Sequence, residues 1–465
     1  MNLNYNTVGI NINSDDNKAA EIATPQNICN DMSDLFDYTN CNNKLWADIY
    51  CKTGNTLVSL KAHGVNPNNI LAICNNKQSQ MFVCRKLYGK ILEEQEVNTT
   101  KESIQSICKI TRRGQIYCIT NWKEIVKSKY SLAKEIIYEI IKEYKNTMSI
   151  LERERERERE SLQFSADENF SINNIIMNPP YNNDMYIDFV TLAHEIASDA
   201  VVAITPAKWQ AKGGAKNEDF RKNIVPYMSK IVYYPDSNRV FDKIGLAGGV
   251  STYYVDKEIH KDKIVNDVMI RDFDIDFPLD ITDDEFALVK KIRQVSPKNL
   301  LEKFSPRLSY NTILSFSGDH YRDDMIQPGS GYYLMDNTKK VEIDKRYIKD
   351  LNKAEMWQTV HGPYSNRCCT AMLYKPHEIA PSYYITLFAG DYDSVRSADS
   401  YYKCKLIWWL VVRFFGGSGL NTRSFKFVPD PGAFDHIFTD EELYKKYNLT
   451  DEEINIIESV IKERK

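Results

Sequence analysis

The sequence lacks the features that would settle its class by composition alone. There is no net positive charge: 60 Lys and Arg face 64 Asp and Glu, a net charge of −4 at pH 7. Any nucleic-acid binding therefore has to come from local basic patches and not from a global field. Ten cysteines contain no Cys-x-x-Cys pair, which removes the common zinc and iron–sulfur spacings, and no metal is expected. The most apolar run, Leu406 to Val412, ends after seven residues at Arg413. A membrane helix needs ~20, so the run reads as a buried segment and no membrane partner is expected. With no secretory leader recognisable, free thiols in a reducing cytoplasm are the simplest expectation.

What is present is ample material for cores: 465 residues, 43% of them apolar, enough for two or three domains. The first 18 or so residues are rich in Asn and Asp and are expected to fray. Apolar segments at Leu45–Ile49, Ile70–Cys74, Ile116–Ile119, Ile175–Met177 and Ala200–Thr205 alternate with helical stretches, as around 78–87 and 186–196. Such alternation predicts α/β architecture with a parallel, doubly wound sheet. From Trp122 to Glu160 the pattern is helical and ends in an alternating Glu-Arg run. Opposite charges there fall at i,i+3 and like charges at i,i+4; the stretch of about 123–162 is read as an exposed, charged helical insertion. The alternation stops near residue 280. Asp280 to Glu285 opens a helix with an acidic first turn, and the tail carries two Thr-Asp-Glu-Glu starts at Thr439 and Thr450, the capping-box pattern. The expected division is 1–280 and 281–465, the second part of mixed α+β type.

The segment Asn178-Pro179-Pro180-Tyr181 carries the most chemistry. It follows directly on an apolar strand. The Asn178 side-chain oxygen and the Pro179 carbonyl are two acceptors, the second on a residue of fixed φ without a competing donor. Tyr181 offers a ring face for a planar group. Two acceptors on one NH₂ group draw on both hydrogens and leave the nitrogen lone pair freer to attack an electrophile.

These residues resemble the amino-methyltransferases, especially the bacterial DNA adenine-N6 methyltransferases of restriction–modification systems. The resemblance extends in chain order over about residues 20–430. The stretch Asp48-Ile49-Tyr50-Cys51-Lys52-Thr53-Gly54-Asn55 is similar to the family's cofactor loop, Asp-Pro-x-x-Gly-x-Gly-Asn: Asp48, Gly54 and Asn55 match, Ile49 replaces the proline, and Lys52 replaces the first glycine. A lysine there requires negative φ. Upstream, Thr24-Pro25 resembles the element that flanks the methionine end of the cofactor, 24 residues before Asp48; read locally, it is the start of a helix with proline in its first turn. Where the family usually has an acidic residue for the ribose, this chain has Asn75-Asn76.

The resemblance implies a Rossmann-like doubly wound methyltransferase domain followed by a target-recognition region. It implies S-adenosyl-L-methionine as cosubstrate, bound by Thr24, Pro25, Asp48, Cys51, Gly54, Asn55 and Asn75, with Asn178, Pro179, Pro180 and Tyr181 as catalytic residues. Double-stranded DNA is the implied partner, in a bacterial cytoplasm, and a separate restriction endonuclease is compatible with it. Between Val201 and Lys230 six Lys or Arg accompany two acids; Lys208, Lys212, Lys216 and Arg221 are candidate phosphate contacts. Phe241 is a candidate to stack on the target base, and the segment from Tyr401 through Arg413 to Phe427 mixes aromatic and basic residues as DNA-contacting segments do, although Trp408 and Trp409 read as core. Two other readings stay open: a methyltransferase acting on an RNA base or a protein glutamine, and a DNA-binding specificity protein without catalysis.

Overall fold

The computed structural model describes residues 23–99, 101–158, 171–210, 214–242, 245–246, 248–300, 323–336, 339–348, 350–362, 368–381, 384–414, 420 and 422–461. The chain divides into two compact units, one of residues 1–209 with 215–275, the other of 210–214 with 276–465.

The first unit is built on one sheet. Its strands in chain order are β1 (Trp46–Asp48), β2 (Ile70–Cys74), β3 (Gln95–Glu96), β4 (Ile110–Arg113), β5 (Ile116–Ile119), β6 (Ile172–Met177), β7 (Ala197–Pro206), β8 (Met228–Tyr234), β9 (Val250–Val255), β10 (Lys263–Val265) and β11 (Val268–Ile270). They lie in the order β11-β10-β8-β9-β7-β6-β1-β2-β5-β4-β3. β1 pairs in parallel with β2 on one side and with β6 on the other, while β2–β5 and β6–β7 are also parallel. β9 runs antiparallel to both β7 and β8, between them. This is a Rossmann-like doubly wound fold. β1 and β2 are buried at every position, as expected for parallel strands covered on both faces.

The chain leaves β1 outward through β2 to β5, then returns to β6 on the other flank of β1. That reversal opens a crevice beyond the carboxyl ends of β1 and β6. Asp48 ends β1 and Met177 ends β6, so the loop 49–55 and the tetrapeptide at 178–181 both start at the crevice.

Helices α1 (Gln26–Ser33), α2 (Asn55–Ala62), α3 (Lys77–Tyr88), α4 (Glu102–Gln105), α5 (Trp122–Ser128), α6 (Tyr130–Glu158), α7 (Met185–Ile196) and α8 (Ala215–Asn223) complete this unit. The stretch expected as an exposed insertion from about 123 is, in its first part, core. Ile125, Val126, Ala133, Ile136, Ile137, Ile140, Ile141 and Tyr144 are all buried. Their 3–4 residue spacing makes one apolar face, and that face decides the packing. The side chains of the Glu-Arg run lie outside the described residues, as do residues 1–22, which include the 18 or so expected to fray.

The second unit is α+β. Three-stranded sheets are formed by Tyr333–Asp336, Lys339–Glu342 and Glu378–Ile379, and by Trp357–His361, Met372–Tyr374 and Ile385–Gly390. Its main core joins helix Asp283–Val295 to helices Tyr392–Lys403 and Lys405–Arg413 through Leu288, Ile292, Tyr402, Leu406, Trp408 and Trp409. Both tryptophans are fully buried. Thr282 and Glu285 close a reciprocal capping box, as do Thr450 and Glu453. Arg413, expected among DNA-contacting residues, instead holds Glu285 at 2.7 Å and Asp280 at 2.9 Å. Those acids lie more than 120 residues away in sequence, which is why the local pattern did not announce them.

Candidate active site

Three segments distant in sequence meet at the crevice, and Thr24 is where they join. The Asn178 amide Nδ2 donates to Thr24 Oγ1 at 2.9 Å, and the Asn55 amide Nδ2 donates to the Thr24 carbonyl at 2.7 Å. These bonds span 154 and 31 residues. With Thr24 occupying its NH₂ end, the Asn178 amide turns its oxygen, an acceptor, to the other side. Pro25 caps α1 with φ −57° and ψ 149°, and no side chain caps this helix. Thr24 is therefore one residue outside the helix, and its hydroxyl goes to Asn178 instead.

The loop after β1 is shaped by few residues. Gly54 precedes α2 at φ +75°, and an added Cβ there would meet Val83 Cα at 3.4 Å. This is a left-handed position that suits glycine. Lys52 keeps a negative φ, since it is not among the non-glycine residues with positive values, so it sits in the turn without backbone strain. Asp48 accepts from the Tyr50 backbone N–H at 2.9 Å and from the Thr56 hydroxyl at 2.6 Å. Burial pushes its carboxyl up to about 6, against the lowering effect of those two bonds and of the Lys52 charge. The Lys86 ammonium bonds the Asn55 Oδ1. Burial lowers the pKa of Lys86 and raises that of the neighbouring Cys29 thiol.

Asp48, Lys52, Gly54, Asn55, Thr24 and Asn178 line one cleft, together with Thr56 and Cys29. Three of the other expected residues stand apart from its walls. Pro25 is taken up by the start of α1. Cys51 is buried, with its backbone N–H on the Ile73 carbonyl and its thiol pKa raised by burial. Asn75 accepts from the Lys123 backbone N–H at 3.3 Å, tying the end of β2 to the start of α5. Thr56 and Lys86 were not singled out from the sequence. A hydroxyl in the first turn of α2 was the available sign for Thr56; nothing local marks Lys86.

Pro179, Pro180 and Tyr181 are all buried. Tyr181 donates its hydroxyl to the Ile204 carbonyl at 3.2 Å, and its ring meets Phe241 edge to face at 6.2 Å. Burial holds its phenol well above the ordinary range, so it stays a neutral donor. Phe241 is buried here as well.

The basic segment after β7 differs from expectation. Arg221 is buried, and its guanidinium bonds the Trp209 carbonyl and Glu218. Such an arginine ties the segment together and cannot reach a phosphate. Lys208 pairs with Asp184 at 2.6 Å and Lys216 with Asp188 at 2.6 Å, so both cations join this segment to the residues just after the tetrapeptide. Lys212 lies outside the described residues. Among the described residues, no cluster of His, Cys, Asp and Glu could hold a metal ion, and all ten cysteines are free thiols. No described helix is long and apolar enough to cross a membrane.

No family model matches this sequence, and no curated protein matches it. Solved structures similar to it include the methyltransferase subunit of a type I restriction–modification system from Streptococcus thermophilus: 10% identical, TM-score 0.32, covering 59% of this chain and 53% of that one. A nuclease-deletion mutant of the type ISP restriction–modification enzyme LlaGI, in complex with a DNA substrate mimic, is 9% identical with a TM-score of 0.42, covering 85% of this chain and 51% of that one. The type IIG restriction endonuclease BpuSI is 12% identical with a TM-score of 0.34, covering 94% of this chain and 60% of that one. This chain thus spans between half and two thirds of the length of each. What it does is read from its own topology and side chains.

Proposed function

We propose that this chain is an S-adenosylmethionine-dependent methyltransferase that modifies the N6 amino group of adenine in DNA, as the modification component of a restriction–modification system. One observation carries the reading: Thr24, residues of the Asp48–Asn55 loop and Asn178 converge through the two Thr24 hydrogen bonds and line one cleft at the switch point of the sheet. A resemblance of three separate motifs that also meet in space is far more specific than any one of them. The cleft suits the cosubstrate's chemistry, with one carboxyl, one ammonium and several amide and hydroxyl groups from this chain.

S-adenosylmethionine supplies the electrophilic methyl group when bound. Asn178 Oδ1 and the Pro179 carbonyl accept the two hydrogens of the target amino group, and Thr24 keeps the Asn178 amide in the orientation that offers its oxygen. The buried Tyr181 ring packs edge to face on Phe241, and its hydroxyl is anchored on Ile204. An adenine has to leave the duplex to reach such a pocket, and catalysis is then mostly positioning. The second unit is assigned to target recognition. A separate nuclease partner fits this reading.

Lys52 in the cleft wall favours a second reading, a DNA-binding specificity protein whose cofactor site has been filled. Calorimetry with S-adenosylmethionine separates the two, since a filled site gives no binding heat. For the first reading, single-molecule sequencing of DNA from cells expressing the chain is expected to show N6-methyladenine in one sequence context. Asn178→Ala is expected to fold, bind the cosubstrate and lose most of that signal. Transfer by Asn178→Ala near the wild-type level overturns the assignment.

A further inference from the structure

The two end strands of the first unit's sheet differ in kind. At one end β3 is two residues long, and its Glu96 pairs with Lys109 at 3.1 Å. A short, charged edge strand discourages further pairing. At the other end β11 carries Val268, Met269 and Ile270, and Val268 and Met269 are 60% and 53% exposed. Successive residues of a strand stand on opposite faces, so this edge is apolar on both. The hairpin decides which backbone groups face outward. β10 and β11 are joined by Asn266 and Asp267, with φ of 47° and 66°, the signature of a two-residue type I′ turn. Such a turn closes on a hydrogen-bonded pair, here Val265 and Val268, and the next pair, Ile264 and Met269, is then a non-hydrogen-bonded one. The N–H and C=O of Met269 therefore point away from β10, off the end of the sheet.

This edge is complementary to itself. Asp267-Val268-Met269-Ile270-Arg271 reads acid, β-branched, methionine, β-branched, base. Two such strands laid antiparallel about Met269 set Met269 opposite Met269, Val268 opposite Ile270, and Asp267 opposite Arg271 at both ends. A parallel arrangement in register would set acid on acid and base on base. We propose that β11 is a homodimerisation edge, on which a second copy of this chain pairs antiparallel about Met269. The two Met269 residues then exchange two backbone hydrogen bonds, and the sheets of the two copies become one. Asp267 and Arg271 are both exposed. The Arg271 side chain is 81% exposed and lies 3.6 Å from Asp262, a loose surface pair of little worth, so its guanidinium can also take the second copy's Asp267. One patch supplies both halves of the contact, as a two-fold interface requires. A strand of another protein could use the same backbone groups, but the matched charges at both ends select a second copy. The inference is independent of the methyl-transfer reading.

The test is analytical ultracentrifugation of the full chain from about 1 to 100 µM, the range that suits a contact this small. Wild type is expected to pass from monomer to dimer across it. Met269→Lys, which sets two like charges against each other on the symmetry axis, is expected to weaken the dimer by at least ~10-fold. Met269 is exposed, so circular dichroism and melting of that variant are expected to match wild type. Charge reversal tests the register. Arg271→Glu alone opposes acid to acid and Asp267→Lys alone opposes base to base, and each is expected to dimerise about 10-fold more weakly. An equimolar mixture of those two variants has opposite charges at both ends, and is expected to dimerise to within about threefold of wild type. A wild type that stays monomeric at about 100 µM, a dimer that Met269→Lys leaves intact, or a mixture no tighter than its components overturns the inference.

Discussion

Thr24→Val tests whether the central hydrogen bond of the site positions a catalytic group or merely holds the fold. Valine keeps the shape of threonine and removes one oxygen. The Asn178 Nδ2 then loses the partner it has at 2.9 Å, inside a region where both residues are buried. Leaving a buried amide donor without that bond costs ~1–3 kcal/mol. If the bond holds Asn178 in its reactive orientation, that cost appears in the barrier, and ~1–3 kcal/mol is about 5- to 150-fold in rate. The Thr24 carbonyl still accepts from Asn55, so cosubstrate affinity is expected to stay within about threefold. Single-turnover transfer of a labelled methyl group to unmodified DNA separates the two quantities. Thr24→Ser, which keeps the hydroxyl, is expected to recover most of the rate. In an Asn178→Ala background Thr24→Val is expected to cost almost nothing, because the two effects share one bond. A transfer rate for Thr24→Val within twofold of wild type, with stability reduced by the full amount, would refute the positioning argument.

Two further outcomes follow from the same geometry. Asp48 has its carboxyl raised from 3.8 to about 6, a difference of ~3 kcal/mol between its two protonation states. Because the folded value is the higher, its stabilising contribution is complete below 3.8 and is lost as pH rises through 6. Urea unfolding at several pH values is expected to show wild type losing stability relative to Asp48→Asn between pH 4 and 6, with a constant gap above pH 7; parallel curves throughout would contradict this. Arg221→Met is expected to destabilise the protein by ~1–3 kcal/mol through loss of its bonds to Trp209 and Glu218. It is expected to leave the salt dependence of DNA binding unchanged, whereas a true phosphate contact would lower the slope by about one.

Some of this was legible in the sequence because the relevant signals are local. β1, β2, β5, β6 and β7 are short apolar runs, and burial on both faces is what makes such runs continuous. Gly54 was legible because a left-handed turn before a helix selects glycine. The edge strand β3 and its neighbour β4 were not, since two and four residues of mixed character carry no periodic signal. The basic segment misled for a related reason. Whether a lysine faces solvent or an acid depends on residues brought up by the fold: Asp184 and Asp188 precede Lys208 and Lys216 by 24 and 28 residues, and only the second pair lies on two packed helices, Asp188 on α7 and Lys216 on α8.

Thr24 marks the limit of local reading more sharply. By sequence, threonine before proline at a helix start is a cap, and a capping hydroxyl would be consumed by its own helix. Here Pro25 takes the cap position, and α1 starts with no side-chain cap at all. That one-residue displacement releases both polar groups of Thr24, the hydroxyl to Asn178 and the carbonyl to Asn55. A threonine one position later would cap α1 and reach neither. The spacing between threonine, proline and helix is therefore what lets one residue hold the Asp48–Asn55 loop and the Asn178–Tyr181 tetrapeptide in a common frame, and Thr24→Val measures how much of the proposed chemistry depends on it.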